Sequence, residues 1–185
     1  MALRLTGHER EHLFHLAGNG GAEDFDEPER LAAGVAAVPS LVEPNPAYVT
    51  GFCYDVLSRN TAAAELFGIA APSNLARWMF TDPGARVVLV DWEREAQGLL
   101  ARLRASAGRH PSHPRLTRLV EELQTASPEV RSWWPRYDIQ VSHAGTKRLR
   151  HPRRGPITMT HTAFHVAEHP EQTLVIYSEQ ATAAT

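Results

Sequence analysis

What most limits the folds open to this chain is the order in which its hydrophobic pattern changes: strand-like, then helical, then strand-like again. Ala47 to Asn60 reads as a strand hairpin broken near Gly51, with Tyr48-Val49-Thr50 on one arm and Asp55-Val56-Leu57 on the other. A short helix from Ala62 to Phe67 is stopped by Gly68, and another turn or two runs from Asn74 through Trp78 to Phe80. Asp82-Pro83 has the form of an N-cap followed by proline at the first helical position, although Val87 to Val90 is β-prone. Trp92, Ala96, Leu99, Leu100 and Leu103 then repeat at helical spacing, with Glu93 and Glu95 at the start and Gly108 as the stop. Leu116, Leu119, Val120 and Leu123 mark a further amphipathic helix. Ser127-Pro128-Glu129 opens a last one carrying Val130, Trp133, Trp134 and Tyr137. After Asp138 the period returns to that of strands: Ile139 to Val141, a turn at Ala144-Gly145, Lys147 to Arg150, Ile157 to Val166 and Leu174 to Tyr177. Early strands pairing with late ones around a helical middle make an α+β fold: an antiparallel sheet of about five strands with helices grouped on one face.

Ahead of this unit, Thr6 to Ala17 reads as a helix. Thr6 and Glu9 form a capping box, and Leu13, Leu16 and Ala17 supply the apolar stripe. Gly18 to Gly21 ends it, an acidic linker covers Glu23 to Pro28, a short helix is expected from Glu29 to Val38, and a Pro-rich stretch runs from Pro39 to Pro46. The expected division is a helical connector over 1–45, a ligand-binding unit over 46–180 and a tail over 181–185. At 185 residues, 43% hydrophobic and 22% charged, the chain suits one globular domain with an appendage. No run approaches a membrane span, and the N-terminus lacks the pattern of a secretory signal, so a cytoplasmic location is expected. The single cysteine, Cys53, has no partner for an internal disulfide and reads as a small strand residue. A formal net charge of −2 argues against this chain alone gripping DNA.

The motif most suggestive of catalysis is His8-Glu9-Arg10-Glu11-His12, a literal H-E-x-x-H of the zinc proteases. Glu9 is already the capping-box residue, no strand precedes it, and Gly18 stands where the longer version of the motif has its third histidine. His8, His12 and His15 share a helix side roughly opposite Leu13 and Ala17 and read as a solvated face, so neither a metal site nor catalysis is expected. His161 and His165 share one face of a strand. Lys147 to Arg154 is the one concentrated basic run, read as a solvated hairpin. No G-x-S-x-G, P-loop or G-x-G-x-x-G occurs. The aromatic residues of the helical middle are expected to fill the core and to border an apolar pocket.

Asn60-Thr61-Ala62-Ala63-Ala64-Glu65-Leu66-Phe67-Gly68 resembles the PAS pattern of a strand ending in Asn and an Ala-rich helix closed by Leu-Phe-Gly. Asn74 to Pro83, Arg86, Asp91-Trp92-Glu93, Arg109-His110-Pro111, Ser127-Pro128-Glu129, Lys147 to Pro152 with Gly155, and Leu174 to Tyr177 together resemble the ligand-binding domain of MmyB-like bacterial transcription regulators. The resemblance runs in order over about residues 44 to 180. Residues 3 to 17 are similar to the segment that, in this family, follows an XRE-type helix-turn-helix domain. The resemblance implies a PAS-like fold, transcriptional control, an apolar ligand such as a fatty acid, and DNA contact only through a helix-turn-helix domain not found in this sequence. Arg59 stands where the family often has an aromatic residue, and Arg153-Arg154 where it is commonly apolar.

The candidate ligand-binding residues are Asn60, Phe67, Arg77, Trp78, Phe80, Arg86, Trp92, Trp134, Tyr137 and His151, with Arg77, Arg86, Asn60 or His151 meeting the polar end of the ligand. No cofactor other than such a ligand is expected, and a homodimer is open. Two other readings remain at this point: a module that only dimerises or docks to a protein, and a zinc-dependent hydrolase resting on Glu9.

Overall fold

The computed structural model describes residues 29–31, 34–68, 73–136, 144–167 and 169–179. The expected helix at 6–17, the linker at 23–28, the H-E-x-x-H motif, Tyr137 and the strand at 139–141 lie outside them. Five strands form one antiparallel sheet in the order β2-β1-β5-β4-β3: β1 (Ala47–Thr50), β2 (Val56–Arg59), β3 (Ala144–His151), β4 (Gly155–Val166) and β5 (His169–Glu179). Seven helices are seen among the described residues: α1 (Val38–Leu41), α2 (Thr61–Phe67), α3 (Leu75–Thr81), α4 (Pro83–Val88), α5 (Trp92–Arg109), α6 (Pro114–Ala126) and α7 (Pro128–Trp133). This is the α+β plan expected from the sequence, with α2 to α7 falling between β2 and β3.

Capping chemistry sets the helix starts. The Asn60 side chain accepts from the Ala63 N–H, Asn74 from Ala76 and Arg77, Asp82 from Gly84, and Ser127 from Val130. Gly68, at φ 63°, closes α2 in the left-handed conformation that favours glycine.

Four expectations about boundaries are corrected. No helix spans Glu29 to Val38: residues 29–31 are non-helical, Gly34 sits at φ 81°, and α1 begins only where Pro39 can occupy a first-turn position. Ala144-Gly145 is not a turn, because β3 pairs with β4 without interruption from Ala144↔Thr162 to His151↔Gly155. The reversal lies instead at Pro152 to Arg154, ahead of Gly155 at φ 73°. Helix α5 passes through Gly108 to Arg109, with His110 closing onto Ser106, since glycine inside a helix lowers stability without breaking hydrogen bonds. Helix α7 ends at Trp133, short of Trp134.

The core lies between the helical middle and the sheet face carrying Tyr48, Leu149, Met159, Val175 and Tyr177. Leu99, Leu100 and Leu103 of α5, Leu116, Leu119 and Leu123 of α6, and Val130 of α7 are fully buried. The β-prone Val87 to Val90 stretch is split: Val87 stays in α4, while Leu89 makes a bridge to Leu149 of β3 and the Val90 N–H donates to the Arg148 carbonyl. Asp91 with Arg148, and Glu95 with Lys147, extend that seam as ion pairs between the start of α5 and β3.

Candidate functional site: a cavity between α5 and the sheet

The sequence-derived candidates divide into core residues and surface pairs. Phe67 and Trp78 meet edge to face at 5.7 Å, Phe67 meets Tyr177 at 5.3 Å, and Phe80 meets Trp92 at 6.4 Å, all within the buried cluster. The Trp92 indole N–H donates to the Met79 carbonyl at 3.0 Å. Asn60 is buried and fully engaged with Ala47, Ala63, Pro39 and Asn45. Arg77 forks onto Glu122 through two 2.8 Å bonds, and Arg86 pairs with Glu129 while its guanidinium lies 3.5 Å from the Trp92 ring centroid. Trp134 is half-buried beside Arg104. His151 braces the β3–β4 turn, its Nδ1 accepting from the Arg153 N–H at 3.1 Å. The structure thus gathers Phe67, Trp78, Phe80 and Trp92 into one core, with Trp134 packed against it and Arg86 stacked on Trp92, and leaves Asn60, Arg77 and His151 in separate structural contacts.

A cavity lies elsewhere, and other residues line it. It occupies about 570 Å³ between α5 and the sheet, within the span of small-molecule sites. Its roof is the α5 face formed by Arg102, Ala105, Ser106 and Arg109, residues spaced three and four apart and therefore on one side of the helix. Ala105 and Ser106 are short, and the space they leave beneath α5 is the cavity. Its floor comes from alternate residues of the sheet: Tyr48 and Thr50 of β1, His161, Ala163 and His165 of β4, and Thr173 and Val175 of β5. The registers Tyr48↔Val175↔Ala163 and Thr50↔Thr173↔His165 set these in rows across the sheet, and His161 stands beside Tyr177 in the next row.

The β1–β2 turn forms one wall through Phe52 and Tyr54. Tyr54 has φ 64°, in the left-handed region that side-chain-bearing residues rarely occupy, and such strain gathers at functional sites. It is held there by the Gly51 carbonyl, which takes its N–H, and by the Leu75 N–H, which donates to its carbonyl. Burial pushes its phenol above the ordinary pKa of 10.0, against the opposing influence of Arg102, so it stays protonated. Phe52 packs edge-on to His113 at 4.5 Å and His110 at 5.4 Å.

The electrostatics of the cavity are cationic. Arg102 and Arg109 line it, and neither has a carboxylate partner among the described residues. Glu171, a carboxylate that lines the cavity, is paired with His110 at 3.2 Å. At the opposite end Lys147 meets Glu95 at 3.0 Å with both side chains largely buried. Burial opposes the charge on Glu95, but Lys147 and Arg94 outweigh it and hold the carboxyl below its usual range. Burial and then the Lys147 charge push His161 down from 6.5, so its ring is neutral at neutral pH. Tyr48 and Tyr177, beside it, are raised by burial, Tyr177 to about 12.

Two signals for this site were present in the sequence: the shared strand face of His161 and His165, and Arg102 and Arg109, seven apart on α5 with the small residues Ala105 to Gly108 before the second. Neither is legible without knowing that β4 passes beneath α5. Among the described residues, no group of three or more His, Cys, Asp or Glu side chains could hold a metal, and no helix is long and apolar enough to cross a membrane.

Comparison with curated proteins finds no match. Comparison with protein families finds one whose model, the MmyB-like transcription regulator ligand binding domain, matches residues 32–185. That span takes in all five strands, all seven helices and the cavity. The chain belongs to the family of MmyB-like transcription regulator ligand-binding domains.

Proposed function

We propose that this chain is the effector-sensing part of an XRE-family helix-turn-helix regulator, acting in the cytoplasm by binding and not by catalysis, and that its effector is an apolar molecule with an acidic head, such as a fatty acid, seated in the cavity beneath α5. In this reading residues 46–180 are the sensing unit, residues 1–45 connect it to a DNA-binding domain, and 181–185 form a tail. The observation that carries the proposal is the cavity itself: a largely apolar space roofed by Arg102 and Arg109 with no carboxylate answering either among the described residues. Guanidinium groups at the edge of an apolar space suit a carboxylate head. This assigns the polar end of the ligand to Arg102 and Arg109 in place of Arg77 and Arg86, whose guanidiniums are occupied by Glu122 and Glu129.

Native mass spectrometry of the purified chain, with and without added dodecanoate, tests this. A retained acid is expected, and its loss in an Arg102→Gln, Arg109→Gln variant; consistent absence of any bound acid overturns the reading.

A second reading, a dimerisation module, draws on the opposite face of the sheet. Phe164 is 50% exposed there, across from the part-buried Leu174, with Ile176 two residues along β5. Concentration-dependent self-association abolished by Phe164→Ser in analytical ultracentrifugation is its expected signature. A monomer at all concentrations removes it.

A further inference from the structure

The cavity carries polar groups at both of its ends. Its outer end carries Arg109, Pro170 and Glu171, all exposed. Its inner end carries Tyr48 at 6% exposure, Lys147 with its side chain at 11%, and the half-buried His161. Between them the floor is Ala163, Val175 and Thr173, and the roof is Ala105 and Ser106 with Arg102, whose charge acts on His161, Tyr48 and Tyr177. Along β4 the step from His161 to His165 is four residues, about 14 Å, and along α5 the step from Arg102 to Arg109 is about 10 Å. The space is therefore a slot lengthwise under the helix.

The inner end is equipped to receive a hydrogen bond as well as to give one. His161 Nδ1 lies 2.7 Å from the Gly145 carbonyl, which can only accept, so Nδ1 carries the proton. The neutral ring then presents Nε2 as a lone-pair acceptor, and no described residue donates to it. Lys147 has three N–H donors and a single carboxylate partner, Glu95, so it retains donors of its own. A hydrocarbon terminus pushed into this end would strip water from Nε2 and replace it with nothing, an unfavourable exchange for a buried acceptor.

We propose that the ligand of this cavity is polar at both ends: an anionic head at the outer end against Arg109, and a hydroxyl at the inner end that donates to His161 Nε2 and accepts from Lys147. The inference rests on the cavity being the effector site. It narrows the effector class from simple alkyl acids to acids with a terminal hydroxyl.

Isothermal titration of the full chain with dodecanoate and with ω-hydroxydodecanoate tests it, since both probes carry the same head and the same chain. The wild type is expected to bind the hydroxy acid about tenfold tighter, the equivalent of one net hydrogen bond. His161→Phe should abolish that preference while keeping or improving affinity for dodecanoate, and His161→Gln, whose amide oxygen still accepts, should retain part of it. Should the phenylalanine variant not fold, His161→Ala makes the same comparison, with circular dichroism as the check. Equal binding of the two acids by the wild type, or a preference that survives the removal of His161, overturns the inference and leaves the effector site standing. Failure of both acids to bind overturns the effector site and the inference together.

Discussion

Asn60 holds several elements of the local architecture together through its side chain. Its Oδ1 accepts from Ala63 at the start of α2 and from Ala47 at the start of β1, while its Nδ2 donates to the carbonyls of Pro39 and Asn45. One amide thus ties α1, β1 and α2 together. Asn60→Ala removes a helix cap and strands buried partners, so a loss of about 2–4 kcal/mol is expected in urea denaturation, with the slope unchanged. His161 sets a second expectation. Its folded-state pKa is depressed below 6.5, so its contribution to stability is fully present above pH 6.5. As pH falls from there toward the folded-state value, the unfolded chain takes up a proton that the folded one refuses, and stability falls. Urea midpoints on either side of pH 6.5 should show this decline, and His161→Gln should flatten it. Glu95, whose carboxyl is held low chiefly by Lys147 against burial, adds a separate loss as pH falls below 4.5.

At the scale of elements, Glu29 and the β1–β2 turn form a contact that glycine alone permits. The Phe52 N–H donates to Glu29 Oε2 at 2.8 Å, and a Cβ at Gly51 would stand 2.0 Å from that same oxygen. Gly51→Ala is expected to unseat the Glu29 carboxylate, speed hydrogen exchange at the Phe52 amide, and lower stability by about 1 kcal/mol through the lost hydrogen bond. Elements were readable from the sequence where a cap marks them: Asn60, Asn74, Asp82-Pro83 and Ser127-Pro128 each open the helix that their chemistry announces. They were misread where the marker was composition, as at Ala144-Gly145, because strand pairing with Thr162 and His161 overrides the turn preference of glycine. The cavity escaped the sequence for a different reason. Aromatic residues signal packed volume, and Phe67, Trp78, Phe80 and Trp92 pack on one another. A cavity is made by what is small, here Ala105, Ser106 and Ala163, brought together from distant parts of the chain.

For the molecule as a whole, an occupied cavity should register as stability, because a ligand that binds only the folded state shifts the unfolding equilibrium by mass action. At a free dodecanoate concentration a hundredfold above its dissociation constant, about 2.7 kcal/mol of stabilisation is expected, with a matching rise in melting temperature. Arg102→Gln with Arg109→Gln should remove most of that rise while leaving the melting of the unliganded chain nearly unchanged, since neither arginine pairs with a carboxylate among the described residues. The sheet order has a consequence in time. Strand β1 pairs on one side with its sequence neighbour β2, but on the other with β5, so Tyr48 meets Val175 only after the helical middle, β3 and β4 have been made. On the ribosome the hairpin and helices can emerge and begin to order, yet the cavity floor stays open until β5 leaves the exit tunnel. Until β5 is added, no strand stands between the β1–β2 and β3–β4 pairs, so on the proposed reading the capacity to hold an effector arrives only with the last strand of the sheet.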